Sequence, residues 1–139
     1  MLCFAVYSAG LAFNRIYRRE LDRLGLTYPQ YLVMLALWAR DGQAIGQLGE
    51  ALSLETNTLT PMLKRLQAMG LIERVRDSRD ERRVVVSLTP RGRQIEAEAA
   101  GITRCIAAAT GLGGDDLAAL AGKLQELARS LDRAARAQD

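Results

Sequence analysis

Apolar residues recur at helical spacing from Leu2 to Leu24, with Leu2, Val6, Leu11, Phe13, Ile16, Leu21 and Leu24 forming the series and Gly25 the stop. A second helix is predicted to open at Thr27. Thr27 stands three residues before Gln30 in capping-box spacing, and Pro29 falls in the first turn, where a missing N–H costs little. Tyr31, Leu32, Leu35, Leu37 and Trp38 make this helix apolar nearly all round, the pattern of a central core helix, and Asp41-Gly42 ends it. Ile45 to Leu52 gives a short amphipathic helix, Ser53-Leu54 a tight turn, and a longer helix follows to near Gly70. Leu48, Ala51 and Leu52 are expected to face the core from the first of this pair, and Leu59, Met62, Leu63, Leu66 and Met69 from the second.

After Gly70 the period changes. Leu71 to Arg76 and Arg82 to Leu88 predict two strands joined by the polar turn Asp77-Ser78-Arg79-Asp80-Glu81. Ile72, Arg74 and Arg76 alternate with Leu71 and Val75, which predicts one buried and one cationic face. Thr89-Pro90 caps a helix that runs to about Thr110, and Gly111-Leu112-Gly113-Gly114 breaks it. A last helix spans Asp115 to about Ala137. It has acids at its start, Arg129, Arg133 and Arg136 near its end, and a stripe of Leu117, Leu120, Leu124, Leu127 and Leu131. The expected fold is mainly α with a small β-hairpin. Residues 26–89 form a winged helix-turn-helix, residues 1–25 and 90–139 form N- and C-terminal dimerisation helices, and all belong to one domain over 1–139.

Length and composition narrow the class. The 139 residues suffice for one core, and with 49% hydrophobic and 25% charged residues the chain is globular rather than disordered. A net charge of +3 is too modest to demonstrate a nucleic-acid partner, but its distribution matters. Arg74, Arg76, Arg79, Arg82 and Arg83 crowd into the hairpin, while acids gather at Glu96, Glu98, Asp115 and Asp116. With no His and two Cys, neither a Cys/His metal site, a cofactor, nor a disulfide framework is expected. No apolar run approaches the roughly 18 residues that span a bilayer, so a cytoplasmic protein without a membrane partner is expected.

The helix pair and hairpin point to double-stranded DNA. Thr56, Asn57, Thr58, Thr60, Pro61, Lys64 and Arg65 lie at the start or on the outer side of the second helix of the pair. Short polar residues at a helix start, followed by cations, suit entry into a major groove. An ordinary solvated face is the alternative for such a helix alone; the adjoining turn and basic hairpin favour the groove. Arg79, Arg82 and Arg83 would follow the backbone or enter a narrow minor groove. Asp77 and Asp80 are expected to hold Arg74 or Arg82 rather than to touch phosphate. The terminal helices lack a partner within the reading unit, so a homodimer is expected, its paired readers meeting half-sites of a palindromic operator about 34 Å apart.

Arg74-x-x-Asp77-x-x-Asp80-x-Arg82, then Val84-x-Val86 and Leu88-Thr89-x-x-Gly92, resembles the wing signature of the MarR family of bacterial repressors. Leu2-Cys3-Phe4-Ala5, Leu26-Thr27-Tyr28-Pro29-Gln30-Tyr31-Leu32 and Thr58-Leu59-Thr60-Pro61-Met62-Leu63-Lys64-Arg65-Leu66 resemble its organic-hydroperoxide-sensing branch. The resemblance covers nearly the whole chain. It implies a homodimer that represses a peroxidase gene until a cysteine near the N-terminus is oxidised by an organic hydroperoxide. It implies Cys3 as that sensor, and Tyr7, Tyr17 and Tyr28 as the tyrosines that bind its thiolate. Tyr7 lies one turn from Cys3, whereas Tyr17 sits about 21 Å further along a straight helix and would reach only a partner's Cys3. In two-cysteine members the resolving cysteine comes from a late helix of the other subunit, so the resemblance implies an intersubunit Cys3 to Cys105 disulfide. On its own setting among Ile102, Ile106 and alanines, Cys105 fits a buried inert thiol equally well.

Three further readings stand beside this one. A MarR-type repressor relieved by a small aromatic ligand needs no redox chemistry. A thiol peroxidase with Cys3 as catalyst lacks an acid, base or His near Cys3 and leaves the reading unit unused, so no enzyme is expected. A non-catalytic adaptor would not need so many wing arginines.

Overall fold

The computed structural model describes residues 1–137. Helix α1 (Leu2–Leu21) tightens at its end into one 3-10 turn, Asp22–Leu24, where a continuous helix to Leu24 was expected. Gly25 closes it at φ +66, a left-handed conformation that glycine adopts without a Cβ clash. Helix α2 (Tyr28–Ala39) opens on the expected capping box: the Thr27 hydroxyl accepts from the Gln30 amide at 3.3 Å, and Gln30 Oε1 accepts from the Thr27 amide at 2.9 Å. Tyr31, Val33, Met34 and Leu37 are fully buried, so α2 is the core helix its sequence predicts. Each such side chain stabilises the fold by about 1.5–3 kcal/mol.

Helices α3 (Ile45–Leu52) and α4 (Thr56–Ala68) join through Ser53, which is left-handed at φ 53, and the Leu54 amide donates to the Gly49 carbonyl at 2.9 Å. A Cβ on Gly49 would lie 2.7 Å from the Leu54 carbonyl oxygen, so the turn closes only over glycine. Leu48, Leu59, Leu63 and Leu66 are fully buried, as expected. Ala51 is exposed, contrary to expectation, because the turn folds back over Gly49 and the packed face of α3 is Leu48-Gly49.

Strands β2 (Ile72–Arg76) and β3 (Val84–Leu88) form the hairpin, paired antiparallel with Ile72 opposite Leu88 at the base and Arg76 opposite Val84 toward the tip. A third strand, β1 (Gln43–Ala44), adds to the other edge of β3, giving the order β1-β3-β2. The buried Gln43 donates to the Ala36 and Arg40 carbonyls at 2.9 and 2.6 Å, sealing the end of α2. The expected division of the hairpin into a buried and a cationic face is not observed. Leu71 and Ile72 are both buried, whereas Val75 is 60% exposed. Burial falls along the arm rather than across it, because the outer half projects beyond the helices.

Thr89 caps α5 (Pro90–Gln94), its hydroxyl accepting from the Gly92 amide at 3.0 Å. The single helix expected to Thr110 is interrupted at Ile95, and α6 (Glu96–Ala109) follows. The chain forms two compact units, residues 1–102 and 103–139. In the first, Gly92 packs against the hairpin base so closely that a Cβ would sit 2.1 Å from the Leu71 carbonyl oxygen. Trp38 Nε1 donates to the Gly92 carbonyl at 2.9 Å. Asp41 accepts from the Gly42 and Leu88 amides, both at 2.8 Å, and from Arg93 at 2.6 Å, so α2, β3 and α5 meet on one carboxylate. The second unit holds the later half of α6, a turn with Gly111 at φ +70, and α7 (Gly114–Arg136), whose Leu120, Leu124 and Leu131 are exposed. Among the described residues no helix is long and apolar enough to cross a membrane.

Candidate nucleic-acid interface and thiol site

Helix α4 begins at Thr56 after Glu55, whose side chain makes no capping hydrogen bond. Its first amides, apart from those of Thr58 and Leu59, which bond to the Glu55 carbonyl, therefore remain available to an anion. Thr56, Asn57, Thr58, Pro61, Lys64 and Arg65 are all exposed, while Thr60 is half-buried and donates its hydroxyl to the Thr56 carbonyl at 2.8 Å. Pro61 lies inside the helix, in its second turn, and α4 continues through it. As the sixth residue of α4 it removes one amide that would otherwise donate to the Asn57 carbonyl, and the helix tolerates that loss.

The hairpin arginines are not alike. Arg82 Nε approaches Asp80 Oδ1 at 3.4 Å, and its side chain is 93% exposed. Arg79 is exposed, and its backbone amide, with that of Arg82, is held by an aspartate: Asp77 Oδ1 at 2.9 Å and Asp80 Oδ1 at 3.0 Å. The two aspartates thus shape the tip turn through backbone bonds. Arg74 bonds neither of them; its Nε donates to Gln67 Oε1 of α4 at 2.7 Å, because Arg74 lies on β2 across from the last turn of that helix. Asp77 instead meets Arg83, at 3.7 Å. Arg83 also donates to Gln47 Oε1 at 3.5 Å. A cleft of about 370 Å³ separates the tip from the start of the helix pair, with Ile45, Gly46 and Thr56 on one wall and Asp80, Arg82 and Arg83 on the other.

At the other end of the unit, Cys3 and Tyr7 are exposed on the first turns of α1. Tyr17, near the end of α1, stacks on Tyr28 with ring centroids 4.4 Å apart and planes 12° apart. Phe13, Tyr31 and Trp38 extend this array, at 6.2 Å from Tyr17, 5.6 Å from Tyr17 and 6.2 Å from Tyr31 respectively. Burial pushes the Tyr17 phenol up to about 12, helped by Tyr28 and Tyr31, and burial with Tyr31 raises Tyr28. Both therefore stay protonated O–H donors at neutral pH. The fourteen-residue step from Cys3 to Tyr17 in one helix corresponds to about 21 Å, so the thiol does not meet Tyr17 or its stacked partner Tyr28 within a chain, whereas Tyr7 lies one turn from it. Cys105 is exposed on α6 in the single chain, where its neighbours suggested a buried setting. Ile102 and Ile106 carry the burial, and Cys105 lies at the edge of the face they share.

A family profile described as transcriptional regulator SarA/Rot matches residues 15–98. The chain belongs to the MarR/SarA-type winged-helix transcriptional regulators. Within them it is 44% identical to the HTH-type transcriptional regulator TtmR of Methylorubrum extorquens over 91% of this chain and 65% of TtmR. The chain thus spans about two thirds of the length of that relative. It is 40% identical to the organic hydroperoxide resistance transcriptional regulator of Bacillus subtilis, over 94% of this chain and 88% of the relative. Reduced AbfR bound to DNA has a similar structure, with TM-score 0.79 and 37% identity over 94% of this chain and 90% of that one; AbfR is from Staphylococcus epidermidis. AbfR with its disulfide formed matches at TM-score 0.68 and 35% identity, over 91% and 88%. The helix pair, the hairpin and the flanking helices are thus the shared scaffold of a DNA-reading regulator family.

Proposed function

We propose that this chain is a homodimeric repressor that reads double-stranded DNA and releases it when an organic hydroperoxide oxidises Cys3. The observation that carries the reading is the separation of thiol from phenols on α1. Cys3 is exposed at one end, and the neutral Tyr17–Tyr28 pair lies at the other. A second copy running antiparallel along α1 brings each thiol to the other's phenols. The apolar residues that such a pairing would cover, Leu2, Phe4, Val6, Leu11 and Phe13, are exposed in the single chain. The likeness to a hydroperoxide resistance regulator and to AbfR in reduced and disulfide forms supports the same chemistry.

The chemistry runs through the thiolate, whose anion two phenolic O–H groups stabilise. The thiolate sulfur attacks the outer peroxide oxygen; the S–O bond forms, the O–O bond breaks, and the departing alkoxide takes a proton from water to leave as the alcohol. Cys3 becomes a sulfenic acid, two electrons more oxidised. The Cys105 thiol of the other subunit then attacks that sulfur, an S–S bond forms, and water leaves. Joining Cys3 of one copy to Cys105 of the other in this way alters the spacing of the paired α4 helices. Release of the chain's own upstream DNA by cumene hydroperoxide, compared between the intact protein and Cys3→Ser, tests the reading.

A further inference from the structure

Two glutamines, one on each helix of the reading pair, hold two arginines of the hairpin. Gln67, in the last turn of α4, accepts from Arg74 on β2 at 2.7 Å. Gln47, in the first turn of α3, accepts from the Ala44 amide at 2.9 Å and from Arg83 at 3.5 Å with the same oxygen. Arg83 is further tied to the tip turn: the Asp77 amide donates to its carbonyl at 2.7 Å, its own amide donates to the Asp80 carbonyl at 2.9 Å, and its Nε lies 3.7 Å from Asp77 Oδ2. Arg82 has no such anchorage beyond Asp80 and is 93% exposed.

Beyond the pairing of Val85 and Val86 with β1, the hairpin is a two-stranded arm with little apolar burial, and such an arm is marginal by itself. Val75 being 60% exposed puts this hairpin in that class. Polar ties from Arg74 on β2 and from Arg83 in the tip turn to two different helices add to the β1 pairing in fixing the arm. We propose that Arg74 and Arg83 are positioning residues: with Gln67 and Gln47 they form two struts that set the wing's angle to the reading helices. Arg79 and Arg82 are then the wing's charge offered to phosphate. Pre-setting the arm lowers the ordering cost of binding. This assignment rests on the DNA-reading function proposed above, and it moves Arg83 from the contact set to the support set.

The test has one arm without DNA and one with it. In the free protein, Gln67→Ala and Arg74→Ala each speed hydrogen exchange of the amides of residues 72–88 several-fold, and the double variant goes no further than either single one. Gln47→Ala and Arg83→Ala behave the same way, Gln67→Glu retains protection because it keeps an acceptor, and Arg82→Ala leaves exchange unchanged. On a duplex, each glutamine–arginine pair weakens binding non-additively. Arg82→Ala instead lowers the slope of log affinity against log salt by about one. Unchanged exchange in both glutamine variants, or additive losses on the duplex, overturns the struts. Failure of the wild-type protein to bind any duplex overturns the DNA reading, and the exchange arm then decides on the struts alone.

Discussion

Tyr17 and Tyr28 stack at 4.4 Å, tying the end of α1 to the start of α2 across the Gly25 turn. The contact places two phenols where burial keeps them neutral, and a neutral phenol is the form that can donate to a thiolate. The folded state thus favours protonated Tyr17 with a pKa of about 12, against 10.0 for a free phenol. Because the folded value is the higher one, its contribution to stability is complete below pH 10.0 and is lost as pH rises toward 12. Denaturant midpoints measured across that window are expected to fall, and to fall less in Tyr17→Phe. Equal slopes in the two proteins, or a Tyr17 phenol that ionises with the value of a free tyrosine, contradict the assignment.

The junction of α5 with the hairpin base depends on the absence of a side chain at Gly92. A methyl group there would meet the Leu71 carbonyl at 2.1 Å, a backbone atom that cannot swing away. Gly92→Ala is expected to cost about 1–3 kcal/mol or more, through overpacking and displacement of the Trp38 bond. Gly46→Ala is the control: nothing lies within 4 Å of its Cβ position, and alanine in a helix is favoured over glycine by about 0.5–1 kcal/mol. Thermal unfolding of the two variants in opposite directions checks both statements; a neutral Gly92→Ala would show the close approach to be dispensable.

Much of this was legible in the sequence, and the exceptions share a cause. The Thr27–Gln30 box, the apolar α2 and the Ser53 turn announce themselves because each is decided within a few residues of itself. Strand β1 was missed: two residues carry no period, and Gln43–Ala44 is a strand only because β3 lies beside it. Val75 was misplaced because alternation assumes a body behind the strand, which the outer hairpin lacks. The Arg74–Gln67 bond, the meeting of three elements on Asp41 and the Gly92–Leu71 approach join distant segments and leave no local signature. Of the site, the exposed Thr56–Arg65 face and the two cysteines could be named in advance, but the unequal roles of the wing arginines could not.

Non-reducing electrophoresis after peroxide is expected to show a band of twice the chain mass that disappears with reductant. It requires both thiols, so Cys3→Ser and Cys105→Ser each remove it. A band that persists in Cys105→Ser would mean that another bond, such as Cys3 to Cys3, links the copies.

The wing's electrostatic contribution is expected at Arg82. Arg82→Ala should weaken binding to specific and unrelated duplexes alike, by a factor that shrinks as salt is raised. Unchanged affinity at low salt would remove the hairpin tip from the interface.

The most direct measurement is duplex affinity before and after cumene hydroperoxide, in the intact protein and in Cys3→Ser. The account predicts tight binding by both reduced proteins, a loss of at least tenfold on oxidation of the intact one, and no change in Cys3→Ser. Release that persists in Cys3→Ser contradicts the thiol mechanism and points to a ligand-bound repressor instead.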